Sequence, residues 1–275
     1  MLEQLKYVNH LGETIEFGKK GIFANSNDLR NYEYTYDSSR NRAENFRKGV
    51  VTKTIPVVIS AESKKKCINI KNRLYDICEK DVIAEQKGKL YLGDYYLECY
   101  VFSSIKSNYL DADTTMNISL KLVSDDSSSS WIREDVYRYI EDEQVPETGK
   151  GYDYDYEYDY SISDSNVSSL LIDDIRSCDF VLTFYGGVVD PYVEIDKHRY
   201  SVHFTVGDGE RLIINSKLGT VTLMKTDGST ENLFRKRNKE SDVFQKIAPG
   251  KHIIFWGKCN FDLTIRHERG EPKWT

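Results

Sequence analysis

The residues most able to do chemistry are a run of acids. Asp153, Asp155 and Glu157 alternate with tyrosines in Gly151-Tyr152-Asp153-Tyr154-Asp155-Tyr156-Glu157-Tyr158-Asp159-Tyr160, which matches the opening of a calcium-binding loop with oxygen ligands at positions one, three and five. Such a loop needs Gly at its sixth position and Glu at its twelfth; here those places hold Tyr158 and Asp164. In an extended strand the acids line one face about 7 Å apart, too far to wrap one ion and close enough to repel. The run therefore reads as a solvated or partner-facing strand, with Tyr152, Tyr154, Tyr156 and Tyr158 offered to an adjoining surface and no metal expected.

Catalytic patterns fail in the same way. Of five histidines only His198 and His203 lie close together, on opposite faces if the segment is a strand. No His-Glu-x-x-His or Gly-x-Ser-x-Gly motif is present, and Gly149-Lys150 lacks both the upstream Gly, where Gln144 stands, and the downstream Ser or Thr of a phosphate loop. The five cysteines, Cys67, Cys78, Cys99, Cys178 and Cys259, are odd in number and form no Cys-x-x-Cys pair, so buried free thiols are expected rather than disulfides or zinc. A carboxylate pair for glycoside cleavage depends on spacing in three dimensions, and among 44 acids such a pair arises by chance. The expectation is a protein without catalytic residues or cofactor.

Composition narrows the class. A length of 275 residues suits two modest domains, and 39% hydrophobic with 30% charged residues suits a soluble globular chain. The longest apolar stretches, such as Tyr95–Val101 and Ile253–Trp256, are strand-sized, which argues against a membrane span. The N-terminal residues lack the pattern of a secretory signal, so folding in the cytoplasm is expected. A formal charge of −6 disfavours a sequence-independent grip on nucleic acid. Twenty tyrosines point to pleated, half-buried surfaces and protein contacts.

The elements that carry these residues follow from periodicity. The β-branched run Gly49–Ile59 predicts a strand entered from the turn-like segment Asp37-Ser38-Ser39-Arg40-Asn41, with Pro56 implying an edge or a bulge. Ser60 is placed to cap a helix over about Ala61–Lys80, with Cys67, Ile70, Leu74, Ile77 and Cys78 on its buried face. Gly93-Asp94 predicts a hairpin between Lys89–Leu92 and Tyr95–Phe102, and Met116, Ile118, Leu120 and Leu122 alternate as one buried strand face. This first half is an α+β unit, a sheet plus one helix. The run Asp125-Asp126-Ser127-Ser128-Ser129-Ser130 marks a junction, giving domains at 1–130 and 166–275 with a Tyr/acid-rich connector at 131–165. After Val167 short runs at Phe180–Tyr185, Tyr200–Val206, Arg211–Asn215 and Thr220–Lys225 predict a β-sandwich. Asp227-Gly228 reads as a two-residue hairpin turn with both positions at positive φ, and His252–Trp256 with Phe261–Arg266 reads as a closing pair after Pro249-Gly250.

In this order the motifs resemble the siphophage distal tail family, the baseplate hub components also described as phage tail family proteins. The carriers are Asp28-Leu29-Arg30-Asn31-Tyr32-Glu33-Tyr34, Phe46-Arg47-Lys48-Gly49-Val50, Glu79-Lys80-Asp81-Val82 and Gly88–Tyr100. In the second half they are the tyrosine-rich connector, Tyr185–Gly187 with Asp190-Pro191, Glu210-Arg211-Leu212-Ile213-Ile214-Asn215, and Phe244–Gly250 with the terminal hairpin. The resemblance implies a mainly β chain: an α+β N-terminal belt domain closing into a homohexameric ring, and a C-terminal galectin-like β-sandwich outside it. It implies a virion location at the tail tip, and as partners the tail tube protein, the tape-measure protein and a tail-tip or receptor-binding protein.

Ring closure by rotation needs heterologous interfaces, for which edge strands are suitable. Leu90, Tyr91, Tyr95, Tyr96 and Tyr100 are the candidate subunit interface; the alternative is a hairpin wholly inside one subunit's sheet. A carbohydrate-binding module touching the host wall is the rival function. Against it, the His, Asn and Arg pattern of galectin sites is reduced to His203 alone, and Trp256, between Phe255 and Gly257, reads as core more readily than as a sugar platform.

Overall fold

The computed structural model describes residues 4–107, 114–125, 130–140 and 166–274. It is mainly β with one helix and forms two compact units, Met1–Arg133 with Glu268–Thr275, and Glu134–His267. No helix among the described residues is long and apolar enough to cross a membrane.

The first unit is built from β1 (Leu5–Val8), β2 (Thr14–Glu16), β3 (Ile22–Ala24), β4 (Thr35–Ser39), β5 (Arg42–Arg47), β6 (Val51–Ser60), α1 (Lys64–Ala84), β7 (Gly88–Leu92), β8 (Tyr95–Ser107) and β9 (Thr115–Ser124). All of its strand pairs but β4–β5 join in the antiparallel order β2-β1-β7-β8-β9-β6-β3. β6 and β9 pair along their whole length, Val51 opposite Ser124 through Ser60 opposite Thr115. Their alternation sets Ile55 against Leu120, Val57 against Ile118 and Ile59 against Met116, all buried. Each such side chain contributes about 1.5–3 kcal/mol by leaving water. Asn25 N–H donates to the Pro56 carbonyl, so the Pro56 backbone faces the β3 side and its missing N–H leaves the ladder to β9 intact.

α1 begins later than its sequence pattern suggests. Ser60 is spent as the last residue of β6, and Ser63 is the cap, its Oγ accepting from Lys66 N–H. The buried face is Cys67, Leu74, Ile77, Cys78 and Asp81. Asp81 is fully buried, and its carboxylate accepts from Tyr7 Oη at 2.5 Å and from His10 N–H at 2.9 Å, with His10 Nδ1 2.5 Å from the same oxygen. Gly88 is needed beside it: a Cβ there would run into Tyr7 Oη and the Asp81 carboxylate.

The second unit is a two-sheet sandwich. Its strands are β10 (Trp131–Tyr139), β11 (Asn166–Ile172), β12 (Asp179–Tyr185), β13 (Val188–Val189), β14 (Tyr192–Ile195), β15 (His198–Ser201), β16 (Thr205–Val206), β17 (Arg211–Asn215), β18 (Thr220–Met224), β19 (Thr230–Asn232), β20 (Gly250–Trp256) and β21 (Phe261–Arg269). One sheet runs β19-β18-β17-β12-β21-β10, the other β11-β20-β14-β15, and β13 pairs β16. Phe180, Phe184, Leu212, Val221 and Leu263 from the first sheet share one core with Leu170, Val193, Ile254 and Trp256 from the second. Tyr139 stacks on Phe261 at 4.6 Å between ring centroids, and Trp256 meets both rings edge-on.

Several sequence expectations change here. β20 and β21 are not a hairpin: β20 pairs β11 and β14, while β21 pairs β12. The Gly257–Asn260 loop carries the chain from one sheet to the other, so both strands still point apolar residues into one core. At Asp227-Gly228 only Gly228 has positive φ (83°); the Gly228 N–H donates to the Lys225 carbonyl, a type I turn closed by a left-handed Gly instead of a two-residue turn. Residues 131–139, read as connector, form β10, and 268–275 join the first unit, where Arg30 Nη1 donates to the Pro272 carbonyl at 3.2 Å and its guanidinium covers the Trp274 ring at 4.2 Å.

Two outcomes follow from the Asp81 network. Tyr7→Phe removes one donor from a buried carboxylate and costs about 1–3 kcal/mol; Gly88→Ala overpacks the same spot and costs about 1–3 kcal/mol, both read by urea unfolding at pH 7. Burial first, then the bond to Asp81, holds the Tyr7 phenol above its ordinary 10.0, and burial pushes Tyr139 up to about 12. A raised phenol contributes fully below its unfolded value and loses that contribution as pH climbs toward the folded one, because the unfolded chain gives up its proton first. Stability therefore falls above about pH 10, and Tyr7→Phe shows the shallower fall; equal slopes would contradict the assignment.

Candidate assembly surface

Among the described residues β4 and β5 make a hairpin that pairs with no third strand, and every residue of both strands is exposed. Arg40 and Asn41 turn it with φ of 49° and 63°, the left-handed pair that matches strand twist. A bulge follows where Asn45 takes φ 54°, and there Tyr36 and Phe46 meet at 5.7 Å with 58% and 63% of their surfaces in water. The Arg47 guanidinium holds the Asp37 carboxylate at 2.6 Å, and Thr35 Oγ1 donates to the Arg47 carbonyl at 3.0 Å. An isolated two-stranded hairpin is marginal in water, and this one offers two open edges and an aromatic pair to whatever it meets.

The second feature is a groove of ≈ 260 Å³ between α1 and strands β8 and β9, lined by Leu74, Tyr75, Cys78, Val82, Phe102 and Met116 with Lys71, Glu79 and Lys106 around it. Tyr75 and Phe102 are half-exposed. The Cys78 thiol is pushed up to about 12 by burial and then by Asp81, so at neutral pH it is an apolar wall and not a nucleophile. No histidine stands in this lining; its chemistry is that of a docking site for apolar side chains.

The candidate interface residues on β7 and β8 lie mostly inside. Leu90 (0% exposed), Tyr95 and Tyr96 (5% each) are buried within the subunit, because β7 is paired on both edges, to β1 and to β8. Tyr91 and Tyr100 are half-buried. Lys6 covers the Tyr91 ring at 4.5 Å and Lys89 the Tyr96 ring at 4.3 Å, while Tyr100 Oη donates to the Glu85 carbonyl at the end of α1. The connector residues Tyr152, Tyr154, Tyr156 and Tyr158 lie outside the described residues.

In the second unit β11 pairs, among the described residues, only with β20. Val167 and Leu171 from β11 and Ile253 from β20 expose 60%, 65% and 49% of their surfaces on the outer face of that sheet. Trp256, by contrast, is buried at 5% exposure, and no sugar can stack on it. Among the described residues one set has the donor types and closeness to hold a metal ion: Asp174, Cys178 and His267. The cysteine count alone gave no hint of it, since 93 residues separate Asp174 from His267.

No family model matches the chain, and no curated protein matches it. Solved structures do. A chain of the phage P2 baseplate in its activated conformation with Ca aligns over 99% of this chain and 100% of its own, with a TM-score of 0.61 and 11% identity. The same baseplate with Sr gives the same values. The Dit protein (gp 19.1) of phage SPP1, a paradigm of the hub adsorption apparatus in phages infecting Gram-positive hosts, aligns over 96% of this chain and 99% of its own, at a TM-score of 0.59 and 4% identity. At such identities the likeness is one of fold, and it extends across both units.

Because the Tyr36–Phe46 pair stands outside both cores, Tyr36→Ser combined with Phe46→Ser leaves unfolding free energy within about 0.5 kcal/mol of the parent. A loss above about 2 kcal/mol in urea melts, the range of a core deletion, would contradict an outward-facing role.

Proposed function

We propose that this chain, which shares the fold of phage baseplate and hub chains, is a structural subunit of a phage tail tip. The observation that carries the reading is the full-length match to two tail-tip assemblies, with neither unit left over. In this reading the first unit is a belt that closes with five copies of itself into a homohexameric ring joining the tail tube to the adhesion apparatus. The second unit, a galectin-like sandwich, faces outward and carries the tail-tip or receptor-binding protein. The tail tube protein and the tape-measure protein are the axial partners.

The division of surfaces supports this. A ring that closes by rotation needs two different patches on each subunit, one meeting the other. The first unit has two: the open β4–β5 hairpin with Tyr36 and Phe46, and the apolar groove beside α1. Insertion of the hairpin of one subunit beside the helix of the next is the contact proposed, with Tyr91 and Tyr100 completing the surface. No catalytic step is required of a scaffold, and the groove beside α1 is lined mainly by apolar side chains that suit docking. The carbohydrate-module alternative loses its aromatic platform with Trp256 buried.

Light scattering on the purified full-length chain over rising concentration, alone and with the tail tube protein, tests the proposal. The expected species has a mass near six times the 31.9 kDa subunit, and the Tyr36→Ser, Phe46→Ser variant remains monomeric. A parent chain that stays monomeric under both conditions would overturn ring formation.

A further inference from the structure

We propose that Asp174, Cys178 and His267 form a binding site for a zinc-like divalent cation inside the second unit, with Asp135 as the outer carboxylate that orients the histidine. The donors converge from separate elements: Asp174 and Cys178 from the loop between β11 and β12, His267 from β21, and Asp135 from β10. Asp174 Oδ2 lies 2.9 Å from His267 Nδ1, Cys178 Sγ lies 3.7 Å from Asp174 Oδ2, and Cys178 Sγ lies 3.8 Å from His267 Nδ1. Tetrahedral zinc with bonds of about 2.0–2.3 Å places its ligand atoms about 3.3–3.7 Å apart. Two edges of the triangle already have nearly that length. The third is a hydrogen bond that opens by about 0.4 Å when a cation replaces the shared proton.

The other side of the imidazole supplies an independent observation. His267 Nε2 is buried 3.1 Å from Asp135 Oδ2 but makes no hydrogen bond; with a cation on Nδ1 it takes the arrangement in which a ligating histidine donates its second N–H to a carboxylate and keeps the opposite nitrogen's lone pair for the metal. A neutral imidazole has one N–H to share between the two carboxylates that flank it. A cation at Nδ1 resolves the conflict, because Nε2–H serves Asp135 while Nδ1 and Asp174 both turn to the metal. The ligands are also held from behind: Ile175 N–H donates to Asp174 Oδ1 at 2.6 Å, and the Cys178 backbone exchanges hydrogen bonds with Ile247.

Burial selects the type of ion. His267 and Cys178 are each 2% exposed, and the Asp174 side chain is 1% exposed. Thiolate, imidazole and carboxylate together suit zinc and its neighbours, whereas calcium and magnesium prefer oxygen alone. Binding breaks the S–H bond, releases that proton to solvent and forms a metal–thiolate bond, with water in the fourth position. His267 is the last residue of the unit, so the ion would tie β21, the strand by which the chain leaves the sandwich, to the loop between β11 and β12.

The test uses the full-length chain stripped with a chelator and titrated with Co²⁺, which reports thiolate ligation through a charge-transfer absorption. One Co²⁺ per chain with that absorption is expected, displaced by Zn²⁺. The signal is lost in Cys178→Ser and kept in Cys259→Ser, which alters a buried cysteine elsewhere. Asp135→Asn keeps the absorption and weakens affinity about 10–100-fold; it decides the matter if Cys178→Ser fails to fold by circular dichroism. A parent chain without thiolate absorption, or a signal that survives Cys178→Ser, would overturn the site and leave a histidine clamped between two carboxylates.

Discussion

A carboxylate with no exposure to water governs the first unit. Asp81 is tolerated only because Tyr7 and His10 satisfy it, since a buried charge left unpaired costs several kcal/mol. Satisfying it fixes where the last turns of α1 lie against β1. The fit also dictates Gly at position 88, where any side chain would occupy the space of the Tyr7 hydroxyl. With the helix pinned at this end, its Leu74, Tyr75 and Val82 are held beside Phe102 and Met116, and the groove between them follows from how α1 packs on the sheet.

The two units spend their apolar surface differently. The sandwich buries its core between two sheets, and among its exposed apolar residues Val167, Leu171 and Ile253 sit together on the outer face of β11 and β20. The first unit leaves more unspent. Its β4–β5 hairpin is held by backbone pairing, an Asp37–Arg47 ion pair and one aromatic contact, which is little for a structure standing in water. Exposed apolar surface near the base of an open hairpin and in a groove elsewhere on the same unit is an ordinary signature of assembly, and it is what gives the ring proposal a physical basis beyond likeness of fold.

What could be read from sequence depended on whether a segment has one wet and one dry face. β6, β9 and α1 do, and Ile55, Leu120 and Leu74 fall where periodicity puts them. β4 and β5 have no dry face at all, so Thr35–Ser39 carries no alternation to find, although its turn at Arg40-Asn41 was visible. β10 inverts the rule: Asp135 faces inward toward His267 while Val136 is 60% exposed, and a polar strand of that kind reads as linker. β20 and β21 were correctly seen as strands but joined as a hairpin, because periodicity reports which face is buried and not which sheet a strand enters. The Asp174, Cys178 and His267 cluster depends on that same unseen crossing, since β21 brings His267 back to the β11–β12 loop.

Imaging the tail of a phage that encodes this chain by electron cryomicroscopy tests the central claim most directly. The account predicts a closed ring of six copies at the distal end of the tail tube, with each β4–β5 hairpin seated beside the neighbouring α1. A tail tip whose density holds no ring of this fold, or holds the chain as isolated single copies, would contradict it.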